Sequence, residues 1–195
     1  MKKKVLKIMA LVGCALLLVV GSVAGTLAYL TAETDTVKNT FTAGKVSITL
    51  DEAKVDLYGV KADPETRVLE NEYKLIPGHE YVKDPTIHVE AGSEDCYIFF
   101  ELANGLGEYA TLNISENWVN ISGTNVYYYD SVAEAGNSYV AFSKFVLAGN
   151  ADVKDLVAAD ATITVKGYAV QAEGFDTAAE AWDAAPASWK TANNG

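Results

Sequence analysis

The stretch DCYIFFELA, residues 95–103, decides the fold class of this chain. Its apolar side chains alternate onto both faces of a strand, with Cys96, Ile98, Phe100 and Leu102 on one face and Tyr97 and Phe99 on the other. A strand covered on both faces belongs in the centre of a sandwich. Short β-patterned segments flank it, with turn residues at intervals of roughly ten residues. The sequence therefore predicts an all-β fold, an antiparallel β-sandwich of jelly-roll type.

The flanking segments carry the β pattern in shorter pieces. Lys45–Asp51 alternates apolar and polar side chains, which predicts a half-buried first strand, and a long surface excursion follows over Asp51–Asn71. Tyr73–Ile76 is predicted as a strand that stops at a Pro-Gly turn. Pro85 cannot donate to a ladder, so it places Tyr81–Glu90 at an edge or a strand start. The remaining predicted strands are Ala110–Ile114, Trp118–Ser122, Val126–Asp130, Ser138–Leu147 and Ala161–Ala172.

Two short helical segments interrupt the β pattern near the end of the chain. Gly149–Asp160 is predicted to form one helical turn around Val153, Leu156 and Val157. The capping-box pattern that begins at Thr177 predicts a short C-terminal helix through Ala185, ended by a proline. We expect Trp182 and Trp189 to seal this helix against the sandwich.

Residues 1–28 have the three parts of an export signal. A lysine-rich start is followed by an apolar run over Ile8–Val20 and then by a group of small residues. This pattern predicts a signal peptide that is cut between Ala28 and Tyr29, with a competing site after Ala24. Two alternatives stay open at this point. The run is long enough for an uncleaved membrane anchor, and Leu11–Cys14 matches a lipobox whose cysteine would be lipidated.

The charge of the chain excludes one class of partner. The length of 195 residues predicts a single folded domain. The formal net charge of the chain is −11. Removal of the four lysines in residues 1–28 leaves 11 basic against 26 acidic side chains, a net charge near −15. Such a surface repels nucleic acid and anionic membranes, so we expect no nucleic-acid partner. The protein is predicted to be secreted.

Chemical motifs are sparse, and the sequence predicts no catalytic, metal or cofactor site. His79-Glu80 resembles the start of an HExxH zinc helix, but Lys83 occupies the second histidine position and a Pro-Gly pair precedes it. No GxSxG, SxxK or phosphate-binding glycine loop is present. Cys96 is the one cysteine beyond the leader, and its apolar neighbours favour a buried thiol. The protein is therefore predicted not to be an enzyme.

Three segments carry a resemblance to a known family. The first is TLAYLTAETDTVKNTFTAGKVSITLDE, residues 26–52, in which Asn39, Thr40, Phe41, Gly44 and Val46 match an NTF-x-x-G-x-V/L strand. It resembles the leader and first strand of the TasA/camelysin family of exported Gram-positive proteins. Residues 73–100 and 163–182 are similar to segments that recur in uncharacterised members of that group.

The resemblance implies a function and a domain plan. It implies leader cleavage by the dedicated signal peptidase SipW and a jelly-roll subunit of an extracellular biofilm matrix or surface fibre. Such fibres are built by donor-strand exchange, so residues 29–44 would form an N-terminal arm and residues 45–195 the β-sandwich domain. The candidate donor is Tyr29–Phe41, anchored by Tyr29, Leu30, Val37 and Phe41. In the simpler alternative, this arm folds onto its own domain.

Other functions remain open from the sequence. Camelysin-like members of the family carry a metalloprotease label, although no zinc motif is found here. A monomeric surface binding module is the third alternative, for which Tyr127 and Tyr129 on one strand face would supply exposed aromatics. The C-terminal PASWKTANNG has no sortase-like motif, so we expect no stable membrane anchor after cleavage and retention through self-association.

Overall fold

A computed structural model describes residues 44–159 and 161–190. Several predictions fall outside these residues. They concern the signal peptide, the Ala28/Tyr29 cut with its Ala24 and Cys14 alternatives, and the donor-arm anchors Tyr29, Leu30, Val37 and Phe41.

Eleven β-strands and three short α-helices make up the described chain. The strands are β1 (Ile48–Ala53), β2 (Arg67–Val68), β3 (Glu80–Val82), β4 (Thr86–Val89), β5 (Cys96–Asn104), β6 (Ala110–Ile114), β7 (Trp118–Asn120), β8 (Val126–Tyr129), β9 (Ser138–Val140), β10 (Phe142–Leu147) and β11 (Ile163–Gln171). The helices are α1 (Val153–Ala158), α2 (Ala178–Ala184) and α3 (Ala187–Lys190), and a 3-10 turn covers Gly107–Tyr109. In the described part of the chain no helix has the length and apolar character needed to cross a membrane.

The first layer of the sandwich is built from two antiparallel sheets that share one continuous ladder. Their strand orders are β2-β1-β4-β9 and β3-β10-β6. Between them the Ala141 N–H donates to the Pro85 carbonyl at 2.9 Å, and the Lys83 N–H donates to the Ser143 carbonyl at 3.2 Å. These bonds continue the β4–β9 pairing into the β3–β10 pairing without a change of register. Pro85 interrupts the strand on one side because it has no N–H to donate.

The second layer has the order β11-β5-β8-β7, with all its pairs antiparallel. The chain changes layer between β4 and β5, between β5 and β6, between β6 and β7, between β8 and β9, and between β10 and β11. Repeated crossing between two antiparallel layers is the wrapping of a jelly roll. The predicted all-β jelly-roll sandwich with a short C-terminal helix is confirmed.

β5 is covered on both faces, as its sequence predicts. Ile98 and Phe100 pack against Ile87, Phe142 and other first-layer residues in the core between the layers. On the opposite face Phe99 meets Trp182 of α2, with ring centroids 4.9 Å apart. Each buried aromatic side chain contributes on the order of 2 kcal/mol from its removal from water. Trp189 also packs against this outer cluster, in accord with the predicted seal.

The predicted strand Tyr73–Ile76 is wrong. The Tyr73 ring instead packs edge-on against Tyr81 and Phe145, at centroid distances of 5.6 and 5.3 Å. Its hydroxyl donates to the Val82 carbonyl at 3.0 Å, and the Ile76 N–H donates to the Tyr81 hydroxyl at 2.7 Å. Side-chain packing therefore fixes this segment. We call this segment a plug, because its side chains pack into the sandwich. An apolar alternation over four residues does not distinguish a plug from a strand.

Other boundaries move by a few residues. The first strand, predicted at Lys45–Asp51, is Ile48–Ala53, and Ala141 divides the predicted strand Ser138–Leu147 into β9 and β10. The predicted helical turn is α1, and Asp152 caps it by accepting from two backbone N–H groups. The capping box is confirmed at α2, where the Thr177 hydroxyl accepts from the Glu180 N–H at 3.2 Å.

Candidate functional site

The two layers have neighbouring free edges, formed by β1 and β11. Among the described residues, β11 pairs only with β5, and the first part of β1, Ile48–Asp51, pairs only with β4. The Gly105 N–H donates to the Thr162 carbonyl at 2.8 Å, and the Ala172 N–H donates to the Asp95 carbonyl at 2.9 Å. Because the direction of ladder bonds alternates along an antiparallel strand, the odd-numbered residues of β11 direct their N–H and C=O groups away from β5.

The same alternation applies to β1. The Glu90 N–H donates to the Ser47 carbonyl at 3.0 Å, so Ser47 and its alternate neighbours face β4. Ile48 and Leu50 then direct their backbone groups to the open side. Unpaired strand edges are templates for the addition of a further strand.

An open cleft of about 750 Å³ is lined by residues of both β1 and β11, and we name it the edge cleft. The two strands are close at Gly167, where an added Cβ would lie 3.5 Å from Ile87 and 3.6 Å from Ile48. Apolar residues that line the edge cleft include Leu50, Leu69, Val157, Ile163 and Val165. Leu69 is 86 % exposed and Val157 66 %, so this apolar surface faces solvent.

The edge cleft also has a polar group of residues in its wall, formed by Glu52, Asn71 and Lys83. Glu52 follows Ile48 and Leu50 on the inward side of β1 and is only 4 % exposed. Its carboxylate accepts from the Lys83 Nζ at 2.6 Å through Oε2 and from the Asn71 Nδ2 at 2.9 Å through Oε1. A buried carboxylate is tolerated because both oxygens have partners.

A second charged group ties the loop before β2 to the start of β4. The Asp84 carboxylate accepts from the Ala53 N–H at 2.7 Å, from the Lys61 Nζ at 3.0 Å and from the Arg67 Nη1 at 3.3 Å. The hydrogen bond to Asp84 raises the pKa of Lys61 above its usual value. These bonds hold β1, β2 and β4 together beside the cleft.

Asp51, His88 and Ser138 form a line across β1, β4 and β9. His88 Nε2 lies 2.9 Å from Asp51 Oδ1, and His88 Nδ1 lies 2.7 Å from the Ser138 hydroxyl. Burial acts to raise the pKa of Asp51, but hydrogen bonds and charges from His88 and Arg67 outweigh it and lower that pKa.

This line contains the residue types of an acyl-transfer triad, which also needs oxyanion donors and a substrate cleft. Neither Ser138 nor His88 is among the residues lining the edge cleft or a second, acidic cleft near Gly44. Asp51 is also shared, because it accepts from the Arg67 Nε at 2.8 Å. The geometry therefore indicates a structural role for the three side chains. Their hydrogen bonds form a cross-strand tie, which links β1, β4 and β9.

The structure places the other residues singled out in the sequence in separate positions. Cys96 is fully buried, and burial, with a smaller effect from the Asp95 charge, raises the pKa of its thiol to about 11. His79 Nε2 lies 3.0 Å from the Tyr58 carbonyl. In residues 44–159 and 161–190 no group of three or more His, Cys, Asp or Glu side chains is placed to hold a metal ion.

The tyrosines considered as a ligand platform face the core between the layers. Tyr127 stacks on Phe100 at a centroid distance of 4.8 Å, and Tyr129 makes edge contacts with Trp118 and Tyr139. Packing within the sandwich accounts for both rings.

The sequence did not point to the polar group of Glu52, Asn71 and Lys83. One signal was present, since Glu52 continues the inward-facing positions of Val46, Ile48 and Leu50, where a charged residue is out of place.

The chain matches no family model, no curated protein and no solved structure. Functional inference therefore depends on the edge cleft and its polar residues.

Proposed function

We propose that this protein is an exported structural subunit of an extracellular matrix or surface fibre. In this proposal the signal peptidase removes residues 1–28, and the arm Tyr29–Phe41 of one copy adds to the free edge at the edge cleft of the next. The single observation that carries the proposal is the pair of free edges on β1 and β11 beside an exposed apolar cleft. In such β-augmentation, ladder bonds supply affinity and alternate side chains supply register.

The free edge of β11 supports this role. β11 is nine residues long, and Lys166 is its one charged residue. Edges that are not used for assembly are commonly protected by charges, prolines, bulges or short length. The backbone groups of Ile163, Val165 and Gly167 are directed to the open side, and Leu69 and Val157 offer apolar contacts to an incoming strand.

The length of the arm is sufficient for this contact. Residues 29–41 would span up to about 45 Å when extended, whereas β11 is about 30 Å long at the usual rise per residue. Tyr29, Leu30, Val37 and Phe41 supply its apolar anchors. We assign the arm to a second copy, and its folding back onto its own domain is the alternative that the experiment distinguishes.

The test compares polymerisation of the mature protein with that of two variants, by electron microscopy and sedimentation. Leu69→Glu puts a charge into the edge cleft at a side chain that is almost fully exposed, so the fold should survive. Val60→Glu is the matched control, because Val60 is also 62 % exposed but is not among the cleft-lining residues. We expect fibres from the parent and from Val60→Glu and none from Leu69→Glu.

A third variant, which lacks Tyr29–Thr36, completes the test. We expect this variant to remain folded and monomeric. Polymerisation that is unchanged by the deletion would contradict the proposal. A monomeric parent protein that loses stability on deletion would instead indicate an arm folded onto its own domain.

The proposal assigns no catalytic activity, cofactor or nucleic-acid partner to the protein. Casein cleavage that a chelator abolishes would contradict it in favour of the metalloprotease alternative. Mass spectrometry of the exported protein tests the leader, because a free Tyr29 at the N-terminus excludes both the uncleaved anchor and lipidation at Cys14.

A further inference from the structure

The Glu52 carboxylate contacts both the amine of Lys83 and the carboxamide of Asn71. Lys83 Nζ lies 2.6 Å from Glu52 Oε2, and Asn71 Nδ2 lies 2.9 Å from Glu52 Oε1. The three residues come from different segments: the end of β1, the chain after β2, and the junction of β3 and β4. The fold has therefore placed a nucleophile, an acyl group and a proton carrier together.

The amide of Asn71 is oriented by the backbone on both sides. The Val55 N–H donates to Asn71 Oδ1 at 2.9 Å, and Asn71 Nδ2 donates to the Ala53 carbonyl at 2.9 Å. These partners fix which atom is oxygen and which is nitrogen, because an N–H can only donate and a carbonyl can only accept. A donor on Oδ1 is placed where negative charge would develop if Cγ were attacked.

The surroundings of this group are poor in water. The side chains of Glu52 and Lys83 are 6 % and 11 % exposed. Tyr73, Pro85 and Phe145 also line the edge cleft. Exclusion of water makes each fixed hydrogen bond more effective. The open side of the cleft leaves a route by which a small leaving group can depart.

We propose that Lys83 and Asn71 become joined by an intramolecular isopeptide bond, with Glu52 as the proton carrier. Glu52 takes a proton from the Lys83 ammonium, and the neutral Nζ forms a bond to Asn71 Cγ. The Val55 N–H stabilises the charge on Oδ1. Glu52 then protonates Nδ2, the Cγ–Nδ2 bond breaks, and ammonia leaves.

The reaction is balanced without any further reagent. The second proton lost from Nζ leaves with the ammonia as ammonium, and Glu52 returns to its carboxylate form. The net change converts one ammonium side chain and one carboxamide into a secondary amide and a free ammonium ion. No oxidant or reductant takes part. The bond would fix the segment after β2 to the junction of β3 and β4 in a chain whose described part has only one cysteine, Cys96.

Peptide mapping of the full-chain protein tests the proposal directly. Trypsin releases Val68–Lys74 and Leu75–Lys83 as separate peptides from an unlinked chain. We expect both to be absent from the digest and replaced by a branched species, Val68–Lys74 attached to an uncut Leu75–Lys144. Its mass should be about 17 Da below the sum of its parts, the mass of one ammonia.

Variants assign the role of each residue. Lys83→Arg, Asn71→Ala and Glu52→Gln should each restore the unlinked mass, with folding checked by circular dichroism. Asn71→Asp should still link, with a loss of about 18 Da because water leaves in place of ammonia. The control is Lys144→Arg in the exposed pair with Glu80, which keeps the tryptic site and should leave the link intact.

Two results would overturn the proposal. Recovery of Val68–Lys74 and Leu75–Lys83 at unmodified mass from the folded parent would show that no bond forms, whatever the variants do. A link that persists in Glu52→Gln would exclude Glu52 as the proton carrier.

Discussion

The two sides of the β5–β11 pair differ in how they are closed. On the side of α2, Phe99, Tyr168 and Trp182 form a sealed apolar cluster. On the side of β1, free backbone edges and a cleft adjoin Glu52 and Lys83, whose side chains lie 2.6 Å apart, and Glu52 stands where the strand pattern expects a core residue. The first side can be explained by stability alone. The second carries features that stability does not require, and both proposals therefore concern it.

The largest expected effect breaks the sealed side. Trp182→Ala removes a side chain that is 5 % exposed and that contacts Phe99, Tyr168 and Trp189. We expect a loss of about 4 kcal/mol in the free energy of unfolding, because truncation of a buried tryptophan removes its packing contacts and leaves a cavity. Urea unfolding measures it, and a loss below about 1 kcal/mol would mean that α2 does not seal the sandwich.

The next effect concerns the charged pair on the open side. Lys83→Met leaves the Glu52 carboxylate buried without a cationic partner. We expect it to be about 3 kcal/mol less stable than the double variant Glu52→Leu/Lys83→Met, which has neither charge. Neither variant can form the isopeptide bond, so their difference isolates the buried charge. Equal stability of the two variants would contradict this account.

A smaller effect tests the start of α2. Thr177→Ala removes the hydroxyl that accepts from the Glu180 N–H. The expected loss is about 1 kcal/mol in the same urea experiment. Thr177→Asn is the matched control and should stay close to the parent, because an asparagine side chain can also cap a helix.

The smallest effect concerns the pH dependence of the cross-strand tie. The pKa of Asp51 is lowered in the folded protein from its usual 3.8. A carboxyl group with a lowered folded pKa adds stability above its unfolded pKa and loses it as the pH falls through the folded value. Asp51→Asn should therefore reduce stability at neutral pH and flatten its decline below about pH 4.

The effect at Asp51 should stay below about 1 kcal/mol, because its side chain is partly exposed and solvent screens the interaction. The comparison is urea unfolding of the parent and of Asp51→Asn at several pH values. If the free energy of unfolding fell equally at acid pH in both proteins, His88 and Arg67 would not stabilise the ionised form of Asp51.

The sequence was sufficient for the centre of the fold and insufficient for its open side. β5 was predictable because burial on both faces requires a continuous apolar run, and β11 because its side chains alternate between two faces. The plug at Tyr73 was not, because its apolar side chains serve tertiary contacts that have no fixed period. The pairing of β1 with both β2 and β4 depends on contacts between distant segments, which local pattern does not specify.

The polar group was missed for a related reason. Glu52 alone breaks the inward pattern, but its partners Asn71 and Lys83 lie 19 and 31 residues further along the chain. Only the fold brings them together. The arm residues Tyr29, Leu30, Val37 and Phe41 lie outside the described residues, so their part in assembly stays a prediction.

Amide hydrogen exchange of β11, compared between assembled protein and the variant lacking Tyr29–Thr36, shows directly whether a strand is added at this edge. Addition of a strand at the open side should protect the N–H groups of Ile163, Val165 and Gly167, which have no ladder partner among the residues that the structure describes. Thr164 and Lys166 already face β5 and should change little. Equal exchange at the odd-numbered residues in fibre and monomer would contradict assembly through this edge.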